Sequence, residues 1–297
     1  MAQRVGVIGL GIMGSAYAGH LIDAGFVTTG FDVADGASQR FARRGGSAAA
    51  TPRALAASAD IVISALPSAA ALQAAFFDPD GLAAGAGPGL IVVEASTLPL
   101  AVKENARVRL AERGVTVLDA PVSGTGSQAA VKDIVFYVSG ERAAFEVAAD
   151  ALAATARSVR YVGEFGAGSK LKYIANLLVT IHNLSTAEAV VLALKAGIDP
   201  ALMLEVVGDG AGASRMLGVR GPMMVAGCYD EPTMKLDVYQ KDIDIIAAFA
   251  QEVGAPTPLF TQSAAFYAAA LAEGRGKQDT AAIASVLKTM AGLAPDP

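Results

Sequence analysis

The chain has 297 residues, of which 53% are apolar and 17% charged, with a formal net charge of −5. That length suffices for one large domain or two ordinary ones, and the composition excludes global disorder. An acidic chain with few aromatics argues against nucleic acid or an anionic membrane as partner. The single cysteine, Cys228, rules out an internal disulfide or a thiolate metal site, and two histidines, His20 and His182, argue against a histidine-built zinc centre. No stretch reaches about 18 uninterrupted apolar residues, the length that reads as a membrane span. The N-terminus enters a strand almost at once, without the layout of a cleavable signal, so a cytoplasmic protein is expected.

Short β-branched runs alternate with Ala-rich stretches through the first half. Strands are predicted at Arg4–Ile8, Val27–Phe31, Ile61–Ala65, Leu90–Glu94, Val115–Leu118, Ile134–Ser139 and Ser158–Val162. Thr51-Pro52 reads as an N-cap followed by proline in the first helical position. The alternation predicts a doubly wound α/β sheet of parallel strands with helices on both faces. The Ile134 strand follows a loop rather than a helix, which predicts a sheet mixed at its far edge. From Ser169 to Ala196 there is no Pro or Gly and the apolar spacing is helical, giving one long bridging helix that Gly197 ends. Further helices are predicted at Pro200–Val207, Lys235–Val253, Leu259–Ala272 and Thr280–Met290. The glycine-rich segment Gly208–Gly221 is read as a substrate-covering loop. The expected division is a dinucleotide-binding domain over 1–164 and an all-helical substrate and oligomerisation domain over 165–297.

Gly9-Leu10-Gly11-Ile12-Met13-Gly14 is a complete G-x-G-x-x-G. Alone it is a weak signal. Here it follows an apolar strand, opens a helix, and precedes a second strand ending at Asp32, which is the dinucleotide-binding arrangement. Gly9 permits the tight turn, Gly11 lets backbone approach a pyrophosphate, and Gly14 allows close helix–strand packing. The helix N-terminus offers N–H groups and a positive dipole end to phosphate. Asp32 is placed to accept from a ribose hydroxyl and would repel a 2′-phosphate. NAD is therefore favoured over NADP.

Polar residues open the bridging helix. Lys172 and Asn176 are spaced i, i+4 and share a face, whereas Lys170 does not. A lysine and an amide side by side could bind and deprotonate a hydroxyl, or be a solvated lysine beside a packed asparagine.

The sequence resembles the β-hydroxyacid dehydrogenase family over nearly its whole length. The resemblance is carried by GLGIMG at Gly9–Gly14, FDV at Phe31–Val33, LP at Leu66-Pro67 and EAST at Glu94–Thr97. It continues with DAPVSG at Asp119–Gly124, GAGSKLKYIAN at Gly166–Asn176 and KD at Lys241-Asp242. It implies hydride transfer between a nicotinamide cofactor, NAD or NADP, and the β-hydroxyl of a small hydroxyacid, or reduction of the matching semialdehyde. It implies Lys172 as the catalytic acid and base, Asn176 as a substrate-binding amide, and Ser123 and Gly124 as the holder of the substrate carboxylate. Leu66, Pro67 and Ser96 would line the dinucleotide path together with Leu10, Ile12 and Met13. Lys241 would stand near both nicotinamide and substrate. A free lysine is mostly protonated at neutral pH, and burial beside Lys241 is expected to lower its pKa.

Thr125 stands where the family usually has a second glycine, which bears on the carboxylate end of the site and on the choice of substrate. L-threonate, glycerate, 3-hydroxyisobutyrate and 3-hydroxypropionate all present a carboxylate and a hydroxyl, and Thr125 tilts the reading toward a polyhydroxylated acid. The resemblance also implies a homodimer or homotetramer. An imine reductase and a non-catalytic dinucleotide-binding module are the alternatives. The retained lysine and carboxylate loop weigh against both. His20 and His182 are read as packing residues, and Asp242 as a tether for Lys241. No metal site is expected at Asp237, Asp242 and Asp244.

Overall fold

A computed structural model describes residues 3–294 and 296. In chain order the elements are β1 (Arg4–Ile8), α1 (Ile12–Asp23), β2 (Val27–Phe31), α2 (Asp35–Arg43), β3 (Ser47–Ala48), α3 (Pro52–Ser58), β4 (Ile61–Ser64), α4 (Ala69–Phe77), α5 (Leu82–Gly85) and β5 (Ile91–Glu94). There follow α6 (Leu100–Ala111), β6 (Thr116–Asp119), β7 (Val122–Ser123), α7 (Gly126–Ala130), β8 (Val135–Val138), α8 (Arg142–Thr155) and β9 (Ser158–Tyr161). The remainder is helical: α9 (Ala167–Lys195), α10 (Pro200–Gly208), α11 (Arg215–Ala226), α12 (Leu236–Glu252), α13 (Pro258–Ala272), a 3₁₀ turn at Thr280–Ala282 and α14 (Ile283–Met290).

The chain divides into two compact units, Met1–Lys172 and Tyr173–Pro297. The division falls inside α9 rather than in the glycine run before it. The reason is local: the first turn of α9 is bonded to side chains of the sheet unit, as described below.

In the first unit, six strands pair in the order β3-β2-β1-β4-β5-β6, with every pair parallel. Alternate residues serve opposite faces. Val5, Val7, Ile61, Ile63, Ile91 and Val93 join the core beneath α1 and α8. Val62 and Val92 join a second core with Leu55, Leu72 and Leu110 of α3, α4 and α6. A sheet covered on both faces needs such continuous apolar strands. Thr51 caps α3 as expected, its hydroxyl accepting from the Ala54 N–H at 3.1 Å, with Pro52 next.

One expectation is corrected. The strand after Pro121 does not extend the large sheet. β7, β8 and β9 form a separate three-stranded sheet, β7 antiparallel and β9 parallel to β8. Pro121 has no N–H to continue the ladder of β6. Among the described residues a single antiparallel bridge, Asp119 with Ser139, joins the two sheets. β3 and β7, two residues each, carry too little pattern to be read from sequence.

The second unit is built on a core of Tyr173, Leu184, Ala187, Val190, Tyr239, Ile243, Ile246, Phe260 and Tyr267. By length and mean hydropathy (1.6), α9 could cross a membrane. Its polar side chains instead find partners inside this unit: Asn183 donates to the Tyr267 hydroxyl and the Thr280 carbonyl, at 2.9 and 2.8 Å. The expected loop at Gly208–Gly221 is corrected in part: residues 209–214 are non-helical, and the rest is helix. Ser214 accepts from the Leu217 N–H and starts α11, which carries Gly218, Gly221 and Pro222 within it. Gly221 lies where a Cβ would press into Leu204, so this glycine serves close helix packing rather than mobility.

Asp279 organises the second unit. It is fully buried and meets Arg220, the Thr233 hydroxyl and the N–H groups of Thr233, Met234 and Ala281. Burial pushes its pKa up, but Arg220 and these donors more than offset that and hold the carboxyl below its usual 3.8. Its contribution to stability is thus complete above that value and is lost as pH falls through the lower folded-state pKa. Asp279→Asn should cost about 3–5 kcal/mol, the range for breaking a buried ion pair from one side. Urea denaturation at neutral pH, compared with the same measurement in acid, checks both the size and the pH dependence.

Candidate active site

The carboxyl ends of β1, β2, β4 and β5 bring the first group of predicted residues to one edge of the sheet, which in this class of fold is where ligands bind. Gly9 has φ +86°, and a Cβ there would strike the Ala65 carbonyl. A Cβ on Gly14 would strike the Gly9 carbonyl. Gly11 differs: a Cβ there would meet nothing within 4 Å. It caps α1 without any side-chain hydrogen bond, and no acid stands in the first turn. The open space over uncapped N–H groups fits the pyrophosphate of a dinucleotide. Asp32 is drawn against the same loop, accepting from Leu10 N–H at 2.7 Å and Ala34 N–H at 2.8 Å. Ile12 projects outward from the turn, 76% exposed.

Ser96 and Leu66 are linked directly, the Leu66 N–H donating to Ser96 Oγ at 2.8 Å. Beneath them lies a residue quoted in the motif but given no role by sequence reasoning. Glu94 is fully buried and accepts from Ser64 Oγ (2.8 Å), Ser96 N–H (3.0 Å) and Ser96 Oγ (3.3 Å). Its carboxylate orients Ser96, and Ser96 orients the turn leading to Pro67. The sequence did hold a signal: Ser64, Glu94 and Asp119 each end an apolar run, and they are paired in register across β4, β5 and β6.

Ser123 ends β7 and Gly124 follows at φ +141°, with Ile134 where a Cβ would stand. Only glycine fits there without strain. Thr125, at φ −101°, needs no glycine. Its N–H donates to Gln128 Oε1 at 3.0 Å, and its hydroxyl lies 3.0 Å from that of Ser127. The departure from the family pattern is therefore absorbed as a helix-starting residue of α7 without moving Gly124. This segment rests on α1. A Cβ on Gly126 would overlap Ile12, and His20 Nε2 donates to the Ala129 carbonyl at 2.8 Å.

Lys172 and Asn176 lie one turn apart on α9, and both are buried. The Asn176 amide donates to Asp242 Oδ2 at 2.9 Å, and Lys241 Nζ stands 3.2 Å from Asp242 Oδ1. Asp242 thus gathers two of the predicted residues, Asn176 and Lys241. The Asn176 carbonyl accepts from Thr180 and from Tyr239, whose burial keeps its hydroxyl pKa well above the usual value and the phenol neutral. Asp237 instead pairs with Lys277, and Asp244 takes the Gln240 amide. Among the described residues no group of three metal-ligating side chains forms.

These features agree with what the chain is similar to. A family model for the NAD binding domain of 6-phosphogluconate dehydrogenase matches residues 4–163. A second, for the NAD-binding region of NADP-dependent 3-hydroxyisobutyrate dehydrogenase, matches 166–287. L-threonate dehydrogenase of Cupriavidus necator is 36% identical over 96% of each chain. The crystal structure of 3-hydroxyisobutyrate dehydrogenase from Salmonella typhimurium is 33% identical, with a TM-score of 0.86 over 96% of this chain and 99% of that one. An imine reductase from Pseudomonas, 20% identical at a TM-score of 0.60 over 98% of this chain and all of that one, shares the fold alone. Family models match both parts of the chain and the relatives cover nearly all of it, and the chain belongs to the β-hydroxyacid dehydrogenase family of NAD(P)-dependent oxidoreductases.

Proposed function

We propose that this enzyme oxidises a hydroxyl of a short, polyhydroxylated carboxylic acid of the L-threonate kind, or reduces the corresponding carbonyl, with NAD preferred over NADP. The observation that carries the reading is the α9 face on which buried Lys172 stands one turn from Asn176, with the amide held by Asp242. A bound nicotinamide supplies the hydride acceptor or donor. Lys172 takes the hydroxyl proton as the hydride leaves and returns it in reduction. As ammonium it also stabilises the oxyanion that develops on the reacting oxygen. Asn176 cannot turn freely, because Asp242 fixes which end of its amide faces outward, so it orients the hydroxyl. Ser123 offers a hydroxyl, and the turn at Gly124 offers backbone N–H groups, to the carboxylate. Thr125 adds a polar wall where the family's glycine would leave space, which favours an acid with further hydroxyls. Leu66, Pro67 and Ser96 line the dinucleotide path, with Glu94 holding Ser96. Lys241, tied to Asp242, supplies positive charge beside substrate and nicotinamide.

Asp32 carries the cofactor preference. Its carboxylate, fixed by Leu10 and Ala34, accepts ribose hydroxyls and repels a phosphate. The helical unit exposes Leu192, Leu202 and Val206, at 70%, 51% and 63%, which supports self-association through that unit. Dependence on a nicotinamide dinucleotide supports a cytoplasmic site of action.

Turnover of L-threonate, D-glycerate, 3-hydroxyisobutyrate and 3-hydroxypropionate with NAD and with NADP tests the substrate class. Tight dinucleotide binding with no turnover across the panel would leave a binding module instead. Lys172→Ala should lower kcat by about a hundred- to ten-thousand-fold, the span of general acid–base catalysis, while calorimetry finds dinucleotide affinity nearly unchanged. Asp32→Ala should shift the ratio of kcat/KM values toward NADP by about tenfold or more, the effect of about 1.4 kcal/mol. Light scattering of the purified protein should give a dimer or tetramer mass.

A further inference from the structure

One buried charge cluster is used neither by the dinucleotide loop nor by the residues assigned above. Asp119 ends β6 with no solvent exposure. Its Oδ1 accepts from Lys103 Nζ at 2.8 Å and Ser169 Oγ at 2.7 Å. Its Oδ2 accepts from the Ser169 N–H at 2.7 Å and Ser139 Oγ at 3.2 Å. Lys103 is equally dry and also reaches the Glu94 carbonyl.

Ser169 is the third residue of α9, so its N–H is one of those a helix start leaves without a helical partner. The Gly168 N–H is met by Ser139 Oγ at 3.0 Å, and the Ala167 N–H by the Glu164 carbonyl at 3.0 Å. Gly168 is pressed so closely on β8 that a Cβ there would lie 2.3 Å from the Tyr137 carbonyl. At Gly168 and Ser169 the start of α9 is therefore clamped by groups distant in sequence, the Ser139 hydroxyl and the Asp119 carboxylate. An anion at a helix N-terminus also meets the favourable end of the helix dipole. Lys172 follows Ser169 by three residues and lies over the same face.

We propose that Asp119 is a positioning residue for Lys172: by holding both the N–H and the hydroxyl of Ser169, it sets the rotation and tilt of the first turn of α9 and so the direction of the amine. The proposal rests on the reading of Lys172 as the proton-transferring group. Lys103 supplies the countercharge to this carboxylate in a dry interior. A loosened first turn would leave Lys172 attached to a helix of unchanged sequence but with its amine astray, and misplacement of about 1 Å can cost about a hundredfold in rate.

The test compares wild type, Asp119→Asn and Ser169→Ala at a temperature where each is folded by circular dichroism. Trace acetylation followed by peptide mass spectrometry gives the labelling ratio of Lys172 to its exposed neighbour Lys170, and steady-state assays give kcat and KM for the acid turned over best. Buried Lys172 should react slowly in the wild type. The ratio should rise by about fivefold or more in Asp119→Asn and about threefold in Ser169→Ala, with kcat falling in parallel and KM changing little, the pattern of a reacting group misplaced. General loosening would raise the labelling of both lysines and leave the ratio where it was. If Asp119→Asn does not fold, Ser169→Ala decides. An unmoved ratio overturns the proposal whatever kcat does. A ratio that rises while kcat stays upholds the hold of Asp119 on the amine and overturns Lys172 as the proton-transferring group.

Discussion

A single dry carboxylate ties the large sheet to the first turn of α9. Asp119 terminates the last strand of the large sheet and begins the longest helix, with four donors on two oxygens. Burying a charge is costly unless it is paired and fully hydrogen-bonded, and here both conditions hold. The arrangement demands much else. Lys103 must come from α6 to neutralise it. Ser139 must come from the end of β8. Glycine must occupy position 168 so that helix and strand can touch. The antiparallel bridge between Asp119 and Ser139 also links the small second sheet to the large one.

The same device recurs at different points in the molecule. Glu94, one strand over and in register, holds a serine and through it a turn. Asp242 holds an amide on one side and a lysine on the other. Asp279 holds an arginine and three backbone N–H groups where α11 meets the final helices. Each takes groups that would otherwise be free to rotate and gives them one orientation. Redox chemistry on a small acid requires little more of a protein than this, because the nicotinamide supplies the reactivity and the chain supplies direction.

The parallel sheet, the dinucleotide loop and the long helix were legible in the sequence because each leaves a periodic or positional trace. β-branched runs, a glycine spacing after a strand, and a long stretch free of Pro and Gly are such traces. What escaped was set by contacts distant in sequence. Gly218 and Gly221 read as part of a flexible connection, yet the capping serine at Ser214 starts a helix that includes both, and Gly221 packs closely on Leu204. The far strands read as one sheet, because nothing local announces that Pro121 redirects the chain. Lys172, Asn176 and Lys241 could be named from their motifs. The carboxylates that hold Ser96 and Ser169 have no role legible in the sequence, and Asp242 reads only as a tether for Lys241 and not as the partner of Asn176, because an acid's partners lie wherever the fold brings them.

The seam between α1 and α7 bears on any attempt to redesign this enzyme. Ile12, from the dinucleotide loop, fills the space that Gly126 leaves, and His20 from the same helix braces the far end of α7 through Ala129. A side chain larger than hydrogen at position 126 would push on Ile12 in the glycine loop, and a bulkier residue at position 12 would push back on Gly126. Positions 12 and 126 are thus not separately tunable. A library that varies one without the other would mostly sample misfitted pairs.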